Sequence, residues 1–115
     1  MNREPLNPMA NLIYAAMLPS LQVIADQHGY ALAIHGSMTF DFDLVAIPWA
    51  PVVSSAESLI MALSEVANPA HGYSDVLKLY EGKPHGRKAW VIPMEGGFAL
   101  DVSVMPCAKE EVDEN

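Results

Sequence analysis

At the start of the Phe40–Trp49 segment polarity alternates residue by residue, Asp41 and Asp43 falling on one side and Phe42 and Leu44 on the other, before the run becomes apolar. A period of two is the signature of an extended strand, because successive side chains of a strand point to opposite faces of a sheet. Phe98 to Met105 repeats the pattern, with Leu100 and Val102 against Asp101 and Ser103. Aspartate is disfavoured in strands, so three of them in strand settings need a reason. If the two strands lie side by side, Asp41, Asp43 and Asp101 converge on one solvent-accessible patch while the apolar residues turn to a core.

The segments around these strands set the rest of the fold. Asn7-Pro8 reads as a helix start, with Asn7 as cap and Pro8 in the first turn. Leu12, Ile13, Ala16, Met17, Leu21, Ile24 and Ala25 recur at helical spacing. Pro19 is expected to kink or split this helix, and His28-Gly29 to end it. Tyr30 to His35 is a short apolar strand, paired to the Phe40–Trp49 strand through Gly36-Ser37-Met38-Thr39. Pro48 and Pro51 close the second strand, and Ser54 or Ser55 caps a helix whose apolar face is Leu59, Ile60, Leu63 and Val66. Asn68-Pro69 stops it. Val76 to Tyr80 fits a short strand or a helical turn, and Gly82, Pro84 and Gly86 mark a loop. Arg87 to Pro93 is a strand joined to the last one by the hairpin signal Met94-Glu95-Gly96-Gly97. The order predicts an α+β fold: a mixed or antiparallel sheet of about four to five strands with helices packed on one face.

The 115 residues suit one domain, taken as 1–108, with 109–115 as an acidic, frayed tail. An apolar fraction of 51% is enough for a core. The single cysteine, Cys107, excludes an intrachain disulfide. No apolar run reaches the roughly 18 residues that span a bilayer, and the first residues lack the pattern of a signal peptide. The expectation is a cytoplasmic protein with no membrane partner. The net charge of −8 argues against long-range attraction to DNA or RNA. Phosphates remain accessible to an acidic protein through a divalent metal.

Three carboxylates at close range repel one another unless some protonate or a cation neutralises them. Carboxylate oxygens with open water positions suit Mg²⁺ or Mn²⁺. His35-Gly36-Ser37, then Asp41-Phe42-Asp43, then Asp101 within an apolar strand resembles the polymerase-beta-like nucleotidyltransferase superfamily. The resemblance covers about residues 30 to 105. It implies a minimal nucleotidyltransferase-like fold with Asp41, Asp43 and Asp101 as metal ligands, Asp101 also serving as a candidate base. Gly36 and Ser37 would contact the triphosphate. The implied activity moves a nucleoside monophosphate from a nucleoside triphosphate to a hydroxyl acceptor and releases pyrophosphate. The acceptor is open: a protein side chain, a small molecule or, less in keeping with the charge, a nucleic-acid end.

More narrowly, His35-Gly36-Ser37, Asp41-x-Asp43-Leu44, Pro48-Trp49, Pro84-His85-Gly86-Arg87 and Asp101-x-Ser103-Val104-Met105-Pro106 resemble short phage and prophage nucleotidyltransferase-like proteins. For a phage-encoded chain the compartment would be the host cytoplasm. Only Met38, Thr39 and Phe40 separate Ser37 from Asp41, where the superfamily has roughly ten residues that can offer backbone N–H groups to phosphate. That shortening motivates a second reading: a binding module that keeps the fold and takes a host protein or a nucleotide without chemistry.

Lys83, His85, Arg87 and Lys88 gather cationic groups in one loop. Arg87, with its two-donor fork, and His85 are the candidates for phosphate there; a solvated loop is the plain alternative. His35 is a candidate ligand or base, or a hydrogen-bonded strand-end residue. Trp49 and Trp90 could stack on a base or cover the core edge.

Overall fold

The computed structural model describes residues 8–36, 42–69, 81–82, 86–94, 98–107 and 110–112. Helix α1 spans Pro8–Gln27, strand β1 Tyr30–Ile34, β2 Phe42–Pro48, β3 Val52–Ser54, helix α2 Ala56–Ala67, β4 Glu81–Gly82, β5 Lys88–Pro93, β6 Ala99–Val104 and β7 Glu110–Val112. The main sheet runs β1-β2-β6-β5-β4. Only β2 and β6 are parallel within it; β1–β2, β5–β6 and β4–β5 are antiparallel. This is the expected α+β architecture, with a mixed sheet and two helices packed against it.

The alternation read from the sequence decides which way each strand faces. Phe42, Leu44 and Ala46 of β2 and Leu100, Val102 and Val104 of β6 are buried, whereas Asp43, Val45, Asp101 and Ser103 between them are only partly so. Leu59, Ile60 and Leu63 of α2 and Tyr14, Leu21 and Ala25 of α1 close the core over that face. The hairpin expected around residues 94–97 is present as the β5–β6 pair, with Met94 N donating to Phe98 O at 2.8 Å.

α2 begins at Ser55, whose hydroxyl accepts from Ser58 N at 3.2 Å. It ends at Asn68, whose N–H bonds Ser64 O at 2.8 Å and whose side-chain amide donates to Pro93 O, tying the helix end to β5. An exposed Lys88–Glu57 pair at 3.5 Å adds a surface link between α2 and β5; exposed pairs contribute about 0–1 kcal/mol.

Several expectations are corrected. Pro19 lies inside an uninterrupted α1 rather than splitting it. Pro19 and Ala15, whose carbonyl loses its helical donor there, are both exposed, so water can satisfy that carbonyl while Tyr14 and Leu21 are held in the core. The buried stripe of α1 is Tyr14, Leu21 and Ala25; Leu12 and Ala16 face outward and Val66 of α2 is exposed at its margin. Gly82, read as loop, belongs to β4 opposite Lys88. Glu110–Val112, read as part of a frayed tail, pair in parallel with β3. The Asn7 cap and the segment Val76–Tyr80 lie outside the described residues.

Gly29 turns α1 into β1. Its φ of +89° belongs to the left-handed region, and a Cβ there would meet Val53 Cγ1 at 2.8 Å and Val52 O at 3.0 Å. The close approach is used: Gly29 O accepts from Trp49 N and Ala50 N, and His28 O accepts from Ser54 N. Tyr30 Oη adds a 2.7 Å bond to Ser54 O. His28 itself donates from Nδ1 to Ile24 O at 2.9 Å, closing the last turn of α1.

Candidate carboxylate site at the parallel strands

The two central strands place Asp43 directly opposite Asp101 in the Cα register. Partners in a parallel pair project to the same face, across an interstrand spacing of about 4.8 Å. Both side chains are half-buried on the face away from Phe42, Leu44, Leu100 and Val102. Adjacent carboxylates, unlike the apolar pairs on the other face, do not stabilise a sheet by packing.

β1 ends against the same point. His35 N donates to Asp43 O at 2.8 Å, and the chain then turns through Gly36 at φ +80°. A Cβ at Gly36 would stand 3.6 Å from Asp43 Oδ2, so the turn passes directly beside the carboxylate. On the far side of the strands Tyr14 holds the backbone in place. Its hydroxyl donates to Ala99 O at 3.1 Å and accepts from Ala99 N at 3.2 Å. Its ring stacks on Phe42, with centroids 4.5 Å apart, and meets Phe98 edge-on at 5.9 Å. One side chain of α1 thus fixes the residue before Asp43 and the segment leading into Asp101. Sequence reading passed over Tyr14; the available signal was its helical spacing to Leu21 and Ala25, on a stripe rotated from the one chosen.

Of the candidate residues, the structure brings Gly36, Asp43 and Asp101 together. Asp41, Ser37 and His85 lie outside the described residues. Arg87 is not brought into their row. Asp101 is level with Val91 and Lys88 with Val104, so Arg87, one residue before Lys88, is four strand positions away, about 13 Å along the sheet. Arg87 Nε is buried and has no hydrogen-bond partner among the described residues. His35 is exposed, Trp90 is buried in the core, and Trp49 is 52% exposed.

Among the described residues no three His, Cys, Asp or Glu side chains converge on a metal position. The chemistry of the Asp43–Asp101 donor set fits a hard divalent cation, since Mg²⁺ is commonly held by one or two carboxylates with water and substrate phosphates completing its shell. No helix is long and apolar enough to cross a membrane among the described residues. Comparison with protein-family models, curated proteins and solved structures finds no match to this chain.

Proposed function

We propose that the protein is a Mg²⁺-dependent nucleotidyltransferase, acting on a nucleoside triphosphate and a hydroxyl acceptor through Asp41, Asp43 and Asp101. The observation that carries this reading is the register of Asp43 against Asp101 on adjacent parallel strands, with the left-handed turn at Gly36 alongside. Two carboxylates side by side are the donor set with which proteins commonly hold Mg²⁺ beside a phosphate. Mn²⁺ is the alternative ion.

When bound, the cation would supply charge neutralisation for the triphosphate and the leaving pyrophosphate. The roles left to the chain are positional. Asp43 and Asp101 would hold the cation beside the turn at Gly36. Gly36, lacking a side chain, lets a phosphate approach the backbone beside Asp43, with Ser37 next in line. Tyr14, behind the strands, keeps both carboxylates in one row. Asp101 is the residue assigned to accept the acceptor hydroxyl's proton. Arg87 and His85 remain the candidates for the phosphate tail.

A second reading, a nucleotide- or protein-binding module without chemistry, is favoured by two observations: the short Met38-Thr39-Phe40 connection and the displacement of Arg87 from the carboxylate row. Incubation with labelled nucleoside triphosphates and Mg²⁺ separates the two. Pyrophosphate release that disappears in Asp43→Asn and in Asp101→Asn supports the transferase. Metal-dependent binding without pyrophosphate release, for all four nucleotides and a panel of hydroxyl acceptors, supports the module.

A further inference from the structure

The row of side chains next to the carboxylates, on the same face of the sheet, is fixed by the strand registers. Ser103 of β6 lies two positions beyond Asp101, level with Val45 of β2 and Ala89 of β5, and Val45 is level with Ala33 of β1. Two positions along a strand return to the same face about 6.6 Å further on. Exposure falls across this row: Ala33 is exposed, Val45 and Ser103 are half-buried, and Ala89 is 4% exposed. Ser103 therefore stands toward the inner end of a step that opens toward β1, and brings a hydroxyl between two hydrocarbon neighbours.

The turn at Gly36 lies on the other side of the carboxylates. β1 runs antiparallel to β2, so the chain passes from Ala33, level with Val45, to His35, bonded to Asp43 O, and on to Gly36. A Cβ at Gly36 would stand 3.6 Å from Asp43 Oδ2. Along the strands the order is thus the turn, the carboxylate pair, then the Ser103 row. A molecule with its phosphates at the turn and on a cation between Asp43 and Asp101 extends its other end over Val45 and Ser103. For a nucleoside triphosphate that end begins with the sugar.

Resting on the triphosphate site proposed above, we infer that the substrate is a ribonucleotide and that Ser103 reads its sugar. A serine hydroxyl has one donor and two acceptor sites. The adjacent 2′- and 3′-hydroxyls of ribose use both: Ser103 donates to one and accepts from the other. Val45 and Ala89 carry no hydrogen-bonding side-chain atom, so a 2′-deoxy sugar leaves one of these bonds unmade and neither neighbour replaces it. The 2′-hydroxyl, itself donor and acceptor, is the group by which a protein separates ribose from deoxyribose.

The test is calorimetric titration, in Mg²⁺, of the four ribonucleoside triphosphates, their 2′-deoxy analogues and inorganic tripolyphosphate into wild type, Ser103→Ala and Ser103→Thr. Wild type is expected to bind at least one ribonucleotide about fivefold more tightly than its deoxy analogue, the size of one net hydrogen bond. Ser103→Ala should bring the two sugars to equal affinity, and Ser103→Thr, which keeps the hydroxyl, should keep the preference. Tripolyphosphate has no sugar and should bind wild type and Ser103→Ala alike. Equal binding of both sugars by wild type, or a preference that survives in Ser103→Ala, would overturn the role of Ser103 while tripolyphosphate still binds. Failure of tripolyphosphate and of every nucleotide to bind wild type would overturn the triphosphate site itself, and the reading of the sugar with it.

Discussion

The two faces of the central sheet are written in the same residues and have opposite fates. On β2 and β6 the even-numbered positions Phe42, Leu44, Leu100 and Val102 are 0–1% exposed under the helices. The odd-numbered positions Asp43, Val45, Asp101 and Ser103 stay half-open on the other side. The buried apolar area of these two strands is therefore concentrated on one face, and the polar groups of the other lie outside that core. Leu44 and Val102, one step along from Asp43 and Asp101, anchor the two strands from the buried face.

The sharpest way to break this comparison is to move a charge by one residue. Leu44→Asp should unfold the protein, costing at least about 4 kcal/mol, since it buries an unpaired carboxylate and leaves a cavity. Val45→Asp should cost about 1 kcal/mol or less, because its face is open. Chemical denaturation of both variants checks this, and similar losses would mean that the open face is covered. Next in size is Gly29→Ala. Left-handed strain and the contact with Val53 and Val52 should together remove about 2–3 kcal/mol; an unchanged denaturation midpoint would show that the turn relaxes freely.

Tyr14→Phe sharpens the comparison, since it keeps the ring stack on Phe42 and deletes the hydroxyl that Ala99 uses twice. A loss of about 1–2 kcal/mol is expected. The amide signals of Ala99 and Asp101 should move with it, and a variant of wild-type stability would remove Tyr14 as an anchor. The smallest effect expected is Ser55→Ala, about 1 kcal/mol from the lost cap of α2, with no change on the open face. Thermal melts of the last two variants beside wild type would rank them.

Legibility in the sequence followed the strength of the local pattern. The strands around Asp43 and Asp101 are legible because polar-apolar alternation beside short apolar runs has one structural meaning. The α2 cap, narrowed to Ser54 or Ser55, and the β5–β6 hairpin are legible for the same reason: their signals are local. The parallel pairing of β2 with β6, which places Asp43 beside Asp101, was an assumption in the sequence; no local signal sets a pairing between strands so far apart in the chain. The buried face of α1 is less legible because Leu12, Ile13 and Ala16 offer a second apolar stripe, and only packing against Phe42 selects the one containing Tyr14. β7 was hidden because Glu110 and Glu111 carry the composition of a solvated tail, and the partner strand that pairs with them supplies the missing information. Arg87, a candidate for phosphate on its residue type alone, lies four positions from the carboxylates because the β5–β6 register, which no local signal sets, puts it there.

The central claim is that the open face holds a cation and a triphosphate between Asp43 and Asp101. The most direct measurement is calorimetric titration of ATP, GTP, CTP and UTP into wild type and into the Asp43→Asn, Asp101→Asn double variant, with and without Mg²⁺. The account predicts binding of at least one nucleotide to wild type that requires Mg²⁺ and is lost in the folded double variant. No heat from any nucleotide with wild type, or binding that survives intact in the double variant, would contradict it.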